Sequence, residues 1–476
     1  MKIKIAQFFG HFVNSFKIKR IKYLVPLSIC LALTFGVFQN CGTANNGTQS
    51  NGSIGSTSSG SHIASTPANP FCSGSGTSSD PYQVCDAASF AQIWAFPSAF
   101  IALTANISLS GTTTTISTFS GTLNGANYTI SGLQVVGSWI ASNTGTLENL
   151  QFSNVLVTAS GTNSGIIGQN SGTVSNISFL SGTVSGTAGE EVGGIIGTNT
   201  SSITVNTLYF NGTVDMSNLA GGSSSVAGGC VGANHGTISD AIAGAAAQTL
   251  GNNTSSSEAI VGEIVGINAG LLEGAVTTQG STVSGGLFTG GIAGANTGVI
   301  GGAHSQTNVN TSVTDSESGG ITGYNDAGII EVAENGGSVS GVYDVGGIVG
   351  RQDGSTSSIT DCANVGNIST ASDTSGGIVG ALDVSSGSIT RVYSDVMIPT
   401  GGNCGGRLIG GVSTGDTISG SYYNSSLSGV TNAIGCGSAT GITGLTTAQF
   451  AIQSSFVGWD FTSTWEMSVN GYPALQ

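Results

Sequence analysis

GGIVG stands at 346–350 and returns unchanged at 376–380. Windows of the same form, a glycine, two mostly apolar residues and a glycine, extend outward from this pair in both directions. They read SGIIG ending at Gly168, GGIIG at Gly197, GGCVG at Gly232, GEIVG at Gly266, GGIAG at Gly294, GGITG at Gly323 and GRLIG at Gly410. Successive spacings from Gly168 onward are 29, 35, 34, 28, 29, 27, 30 and 30 residues, and a degenerate copy, GSWIA, ends at Ala141, 27 residues before Gly168. Ten copies at such an interval are an internal repeat, and self-similarity of this period marks a solenoid or an array.

Each unit carries further order. Its last glycine is commonly followed by an Asn at the second position and soon by another Gly, as in GQNSGTVSNISF, GANHGTISDAI, GINAGLLEGAV and GANTGVIGGAH. A third short β-prone piece follows, as in SGTVSG, NGTVDM, GGSVSG and VGNIST. Segments rich in Ile, Val and Thr thus alternate with the turn formers Gly, Asn, Ser and Asp, and no unit offers an apolar stripe of helical period. Three short strands per turn predict an all-β chain, a right-handed parallel β-helix of about ten coils of ~30 residues stacked ~4.8 Å apart. The paired aliphatics are expected to point inward. Glycines flank them because corners need φ > 0 or a close backbone approach, and corner Asn residues are expected to form side-chain ladders. A β-propeller is the structural rival, but its blades repeat at about 40–50 residues.

Composition agrees with a thin, repeated core. Of 476 residues, 78 are Gly and only 7% are charged, so the chain has neither a bulky globular core nor the high charge of a disordered one. Six of the nine basic residues (Lys2, Lys4, Lys17, Lys19, Arg20 and Lys22) precede the apolar run YLVPLSICLALTFGVF, and no acid occurs before Cys41. That order is an export signal over 1–40. A permanent span is disfavoured, since Pro26 breaks a run already short of the ~20 residues required. FQNCG at 38–42 resembles a bacterial lipoprotein box, with Phe38 and Asn40 where the commonest box has Leu and a small residue. The resemblance implies cleavage before Cys41 and its diacylation; the alternative is an unlipidated secreted protein. The Gly/Ser/Thr/Asn stretch over 41–69 reads as a flexible tether. Cleavage leaves Arg351, Arg391 and Arg407 against 24 acids, a net charge of −21 with no lysine. Nucleic-acid binding and electrostatic attraction to anionic lipid, which both need cations, are thereby excluded.

The GG-[IV]-[IV]-G units followed by Asn-x-Gly resemble GLUG-motif repeats, which occur in bacterial surface and secreted proteins, including non-catalytic parts of some immunoglobulin A peptidases. The likeness extends to GSGTSSDPYQVCDAASFAQI at 74–93, IALTANISLSG at 101–111 and FSGTLNGANYTISGL at 119–133. It also takes in LTTAQFAIQSSFVGWDFTSTWEMSVNGYPAL at 445–475, with Trp459-Asp460-Phe461, Trp465 and Tyr472-Pro473. The resemblance implies an N-terminal capping segment over 70–118, β-helix repeats over 119–425 and a C-terminal capping segment over 426–476. A solenoid exposes sheet edges and core at both ends, so caps make physical sense. Trp94, Trp459 and Trp465 are expected as their plugs.

Six cysteines remain beyond Cys30 and Cys41, in a compartment that permits disulfides. Cys72 and Cys85 flank a short loop and are a candidate pair. Cys404 and Cys436 are 32 residues apart, about one coil, and are another. Cys230 and Cys362 lie about four coils apart, ~19 Å along the axis and beyond the ~7 Å Cα limit of a bridge. Each is expected to be a buried free thiol at an aliphatic position, as GGCVG suggests.

No catalytic constellation emerges. Lyases of β-helical shape use a basic residue and the hydrolases clustered carboxylates. Here His62 falls in the tether, while His235 in ANHGTI and His304 after a Gly-Gly read as exposed turn residues. Glu190, Glu191, Asp315, Glu317, Asp326, Glu331, Glu334, Asp344 and Asp373 read as corner acids that confer solubility; stacked, they could hold Ca²⁺ weakly. Neither HExxH nor a G-x-S-x-G elbow is present. The expectation is therefore a non-catalytic, monomeric lipoprotein of the bacterial outer membrane, displayed at the cell surface for adhesion to a protein or glycan ligand. The alternatives are a structural or periplasmic-facing envelope lipoprotein and a polysaccharide-active enzyme. No metal site and no cofactor are assigned.

Overall fold

The computed structural model describes residues 69–186, 191–218, 225–254, 258–369, 373–383, 387–413 and 417–476. The export signal, Cys41, the tether with His62, and Glu190 lie outside these residues. The described chain is a parallel β-helix. One coil consists of the strands Gly182–Ser185, Glu191–Gly193, Ile196–Asn199 and Thr204–Phe210. Each pairs in parallel with its counterpart one coil on: Val184 with Val214, Val192 with Ala227, Ile196 with Val231, and Val205 with Ile238. Four strand columns therefore run along the solenoid, numbered one to four in chain order, where the sequence suggested three.

The additional column arises because the glycine motif is a corner and not a strand. In GGIVG at 346–350, the strand Asp344–Gly346 ends on the first glycine, Gly347 and Ile348 bend, and Val349 opens the strand Val349–Asp353. Ile348 and Val349 are both fully buried. The glycines answer a need for close approach, since none of the three has a positive φ. A Cβ on Gly346 would lie 1.9 Å from the Val349 carbonyl oxygen, and one on Gly347 2.1 Å from Asn364 Nδ2. Stacking follows the repeat: Ile140, Ile167, Ile196, Val231, Val265, Ala293, Thr322, Val349, Val379 and Ile409 succeed one another in column three.

Within this frame the core is repetitive. Column one contributes Val157, Val184, Val214, Val283, Val309 and Val339, and column four contributes Leu147, Val174, Val205, Ile238, Leu272, Ile300, Ile330, Ile359 and Ile389, all buried. Each such side chain contributes about 1.5–3 kcal/mol on burial, so a thin core suffices when the coil recurs. Column three ends on the expected ladder. The Nδ2 groups of Asn143, Asn170, Asn199, Asn234, Asn268 and Asn296 donate to the Oδ1 of the next coil's Asn at 2.8, 3.0, 3.0, 2.9, 2.9 and 2.8 Å, as far as Asn325. Column four is interrupted at one position per coil by a residue of positive φ, in succession Asn149, Asn176, Thr207, Asp240, Gly274, Gly302, Val332, Asp361, Arg391 and Gly420.

The two ends are built differently. At the N-terminus Asp86 caps the short helix Ala87–Phe90, and Phe90 stacks on Trp139 with ring centroids 5.3 Å apart, inside the main core. Trp94, expected as a plug, is 54% exposed; Phe90 and Ile93 take that role. The C-terminal segment divides: Val430, Ile434, Ala439 and Ile442 pack against the main core, and the part after Leu445 lies over column four. Ala363, Tyr393 and Tyr422 stack in register on the outer face of column four, alternating with inward Cys362 and Val392. Over them Phe450, Phe456, Trp459 and Trp465 form a second core, separate from the first. Trp465 Nε1 donates to Asp361 at 3.0 Å, Trp459 Nε1 to the Gly420 carbonyl at 2.8 Å, and the Tyr393 hydroxyl to the Pro473 carbonyl at 2.6 Å. The part after Leu445 is thus a lateral clasp across several coils.

Candidate functional site

Toward the N-terminus the outer face of column four is open and polar. Thr122, Thr146 and Thr173 succeed one another in register, followed by Thr204 and Thr237. Beside them run Asn124, Glu148 and Ser175, then Asn206 and Ser239. Where column three turns into column four, a groove of about 640 Å³ crosses four coils, lined by Gly121-Thr122, Gly145-Thr146, Gly172-Thr173 and Ile203-Thr204 with Asn206. Its floor is glycine because coils stack closely there: a Cβ on Gly145 would lie 2.1 Å from the Gly121 carbonyl oxygen. An outer amide ladder braces this face, with Asn124 Nδ2 on Glu148 at 2.7 Å, Asn149 on Asn124 at 3.3 Å and Asn176 on Asn149 at 2.8 Å.

The acids divide into two populations, and the solubility reading holds for only one. Asp315 and Glu331 are exposed, and Asp326, Glu334 and Asp373 are half-buried. Glu317 and Asp344 are fully buried and in register, one coil apart in column two. A corner position does not guarantee exposure here, because the Gly-Gly bend folds columns two and three closely together. Arg351 donates to Asp344 at 3.1 Å and also pairs with Asp383. Burial pushes Asp344 up to about 6 against the pull of Arg351. Glu317, whose oxygens have no hydrogen-bond partner among the described residues, is raised well above the carboxylate range by burial and then by Asp344, with Arg351 a partial offset. Glu191 accepts from Thr198.

Two residues that sequence reasoning passed over occupy the position of the motif's second glycine, which looks into the core. These are Glu263 in GEIVG, fully buried, and Arg407 in GRLIG, 2% exposed. Their signal was a charge where every neighbouring copy has Gly. Burial raises the Glu263 carboxyl well above its ordinary range, partly offset by Thr249. Burial also lowers the Arg407 guanidinium, which donates to the Leu427 carbonyl.

His235 sits at a bend, half-buried, whereas His304 lies within the column-four strand Val299–Ser305 and not in a turn. Its Nε2 is 3.0 Å from Gln306, and in register beside it Glu334 is raised by burial and drawn back by His304. Cys72 and Cys85 form a disulfide with Cα atoms 6.1 Å apart, and Cys404 and Cys436 another at 5.2 Å. Cys230 and Cys362 are buried free thiols, and burial pushes Cys362 up to about 12. The disulfide Cys72–Cys85 with Asp86 is the one cluster of potential metal-ligating groups among the described residues; its sulfurs are bonded to each other, so it offers no thiolate.

No protein-family model matches the chain, and no curated protein matches it. Among solved structures, the chain is similar to one from Bacteroides ovatus described as a "putative immunoglobulin A1 protease". The identity is 17% over 85% of this chain and 95% of that one, with a TM-score of 0.27. Likeness at that level transfers neither activity nor partner.

Proposed function

We propose that this chain is a non-catalytic, monomeric, lipid-anchored β-helix of the bacterial cell surface that binds an extended glycan along its N-terminal coils. The groove across four coils carries the binding half of this reading. Hydroxyl and amide groups recur there at the coil spacing of ~4.8 Å, and the glycine floor lets a ligand approach the backbone. A polyhydroxylated polymer lying along the axis meets donors and acceptors at every coil, so individually weak contacts accumulate. The absence of lysine after Lys22 and the acidic balance favour a neutral glycan over an anionic one. Burial of Glu317 and Asp344 away from any reactant supports a binding role over hydrolysis. The anchor rests on FQNCG and the basic leader, and the GLUG resemblance accords with exposure at the envelope.

Retention on immobilised neutral linear polysaccharides tests the glycan. The double substitution Thr146→Lys, Thr173→Lys is expected to abolish retention with an unchanged melting temperature, and failure of the unsubstituted protein to be retained by any of them overturns the reading. Location is tested by treating intact cells with a non-permeant protease and following a C-terminal tag. Loss of the tag with a periplasmic control intact supports surface display, and full protection leaves the periplasmic-facing alternative.

A further inference from the structure

We infer that the coils between Glu263 and Asp344 form a pH-sensitive hinge in the solenoid, closed while three enclosed carboxyl groups are uncharged or paired and loosened when they ionise. Glu263, Glu317 and Asp344 are each 0% exposed; the carboxyl oxygens of Glu317 have no hydrogen-bond partner among the described residues, and Glu263 is met by a hydrogen bond only from Thr249. Glu263 faces Thr249 and the Cys230 thiol, and Thr249 stands where the adjoining coils have Val214 and Val283. Glu317 faces Asp344, Arg351 and Asp315; Asp344 faces Arg351, Thr374 and Asp373 as well. Arg351 is the one cation among these groups and is already divided between Asp344 and Asp383. Ionising Glu317 therefore sets like charges one coil apart in a site closed to water, where their repulsion is least screened. Because burial holds Glu263 and Glu317 well above the usual carboxylate range, the loosened state belongs to the alkaline side.

Position gives the device its consequence. N-terminal to these coils the face of column four is open, and from Ile329–Asn335 onward it is touched by the clasp. Loosening the segment frees the binding half from the clasped half. Hydrogen exchange of the full chain at about pH 6 and about pH 8.5, corrected for intrinsic exchange, tests this. Peptides within 258–353 are expected to lose about tenfold in protection relative to those within 122–210 at the higher pH, and Glu263→Gln with Glu317→Gln is expected to remove the difference. An unchanged ratio between the two regions in the unsubstituted chain overturns the proposal, as does a pH response that the double substitution leaves undiminished. Should the double variant not fold, the unsubstituted ratio together with Glu317→Gln alone decides.

Discussion

At the scale of single residues, the glycines of the repeat are defined by what surrounds them. A Cβ on Gly347 would meet Asn364 Nδ2 at 2.1 Å and the Gly377 carbonyl oxygen at 2.2 Å, whereas one on Gly301 would meet nothing closer than 3.8 Å. Gly347→Ala is expected to cost about 3 kcal/mol or more, by overpacking against backbone that cannot yield. Gly301→Ala is expected to stay within about 0.5 kcal/mol; denaturant titration of the pair checks both. The column of positive φ offers the opposite case. Val332 holds φ 53°, a conformation that a β-branched residue adopts under strain. Val332→Gly is expected to gain about 1 kcal/mol, read as a raised melting temperature, because the strain relieved exceeds the added freedom of the unfolded chain.

At the scale of elements, the two amide ladders separate burial from chemistry. Asn234 is fully buried, with its Nδ2 on Asn268 at 2.9 Å and on the Leu271 carbonyl at 3.1 Å, while its Oδ1 accepts from Asn199 and from the Gly236 N–H. Asn234→Ala strands several buried partners at once and is expected to destabilise by about 3 kcal/mol. Asn124→Ala, in the outer ladder where water can replace the amide, is expected to fall below about 1 kcal/mol. Urea unfolding of the two variants distinguishes them, and equal losses would mean that burial does not decide the ladder's strength. The clasp is likewise an element held by packing. Trp465→Ala removes a fully buried indole and its bond to Asp361, with an expected loss of about 4 kcal/mol. Limited proteolysis should then release residues after Leu445 while the coils remain protected.

At the scale of the whole molecule, the buried acids set the response to pH. The folded-state values of Glu263, Glu317 and Asp344 are raised above their unfolded ones. Each therefore contributes stability that is full below the unfolded value and is lost as pH rises through the folded value, about 6 for Asp344 and above the carboxylate range for the glutamates. Asp86 and Asp460, held low by their Ser and Thr donors, act in the opposite sense and lose their contribution progressively as pH falls through and below the ordinary carboxylate range. The melting temperature is expected to peak in mild acid and fall toward pH 8, the Asp344 share being on the order of 3 kcal/mol; a rise between pH 5 and pH 8 would contradict this assignment. How much was legible beforehand follows from the same distinction of scale. The period, the all-β class, the stacking and the asparagine ladder were readable because in a solenoid each coil packs on its own repeat, so local pattern and tertiary contact coincide. Even the exceptions, Glu263 and Arg407, were visible as departures from glycine, although not as interior groups. What only the tertiary structure decided was the fourth column, the enclosure of Glu317 and Asp344, and the lateral clasp. Those depend on how closely a bend folds two strands together and on contacts between distant residues, such as Trp465 with Asp361 across 104 positions, which no periodicity encodes.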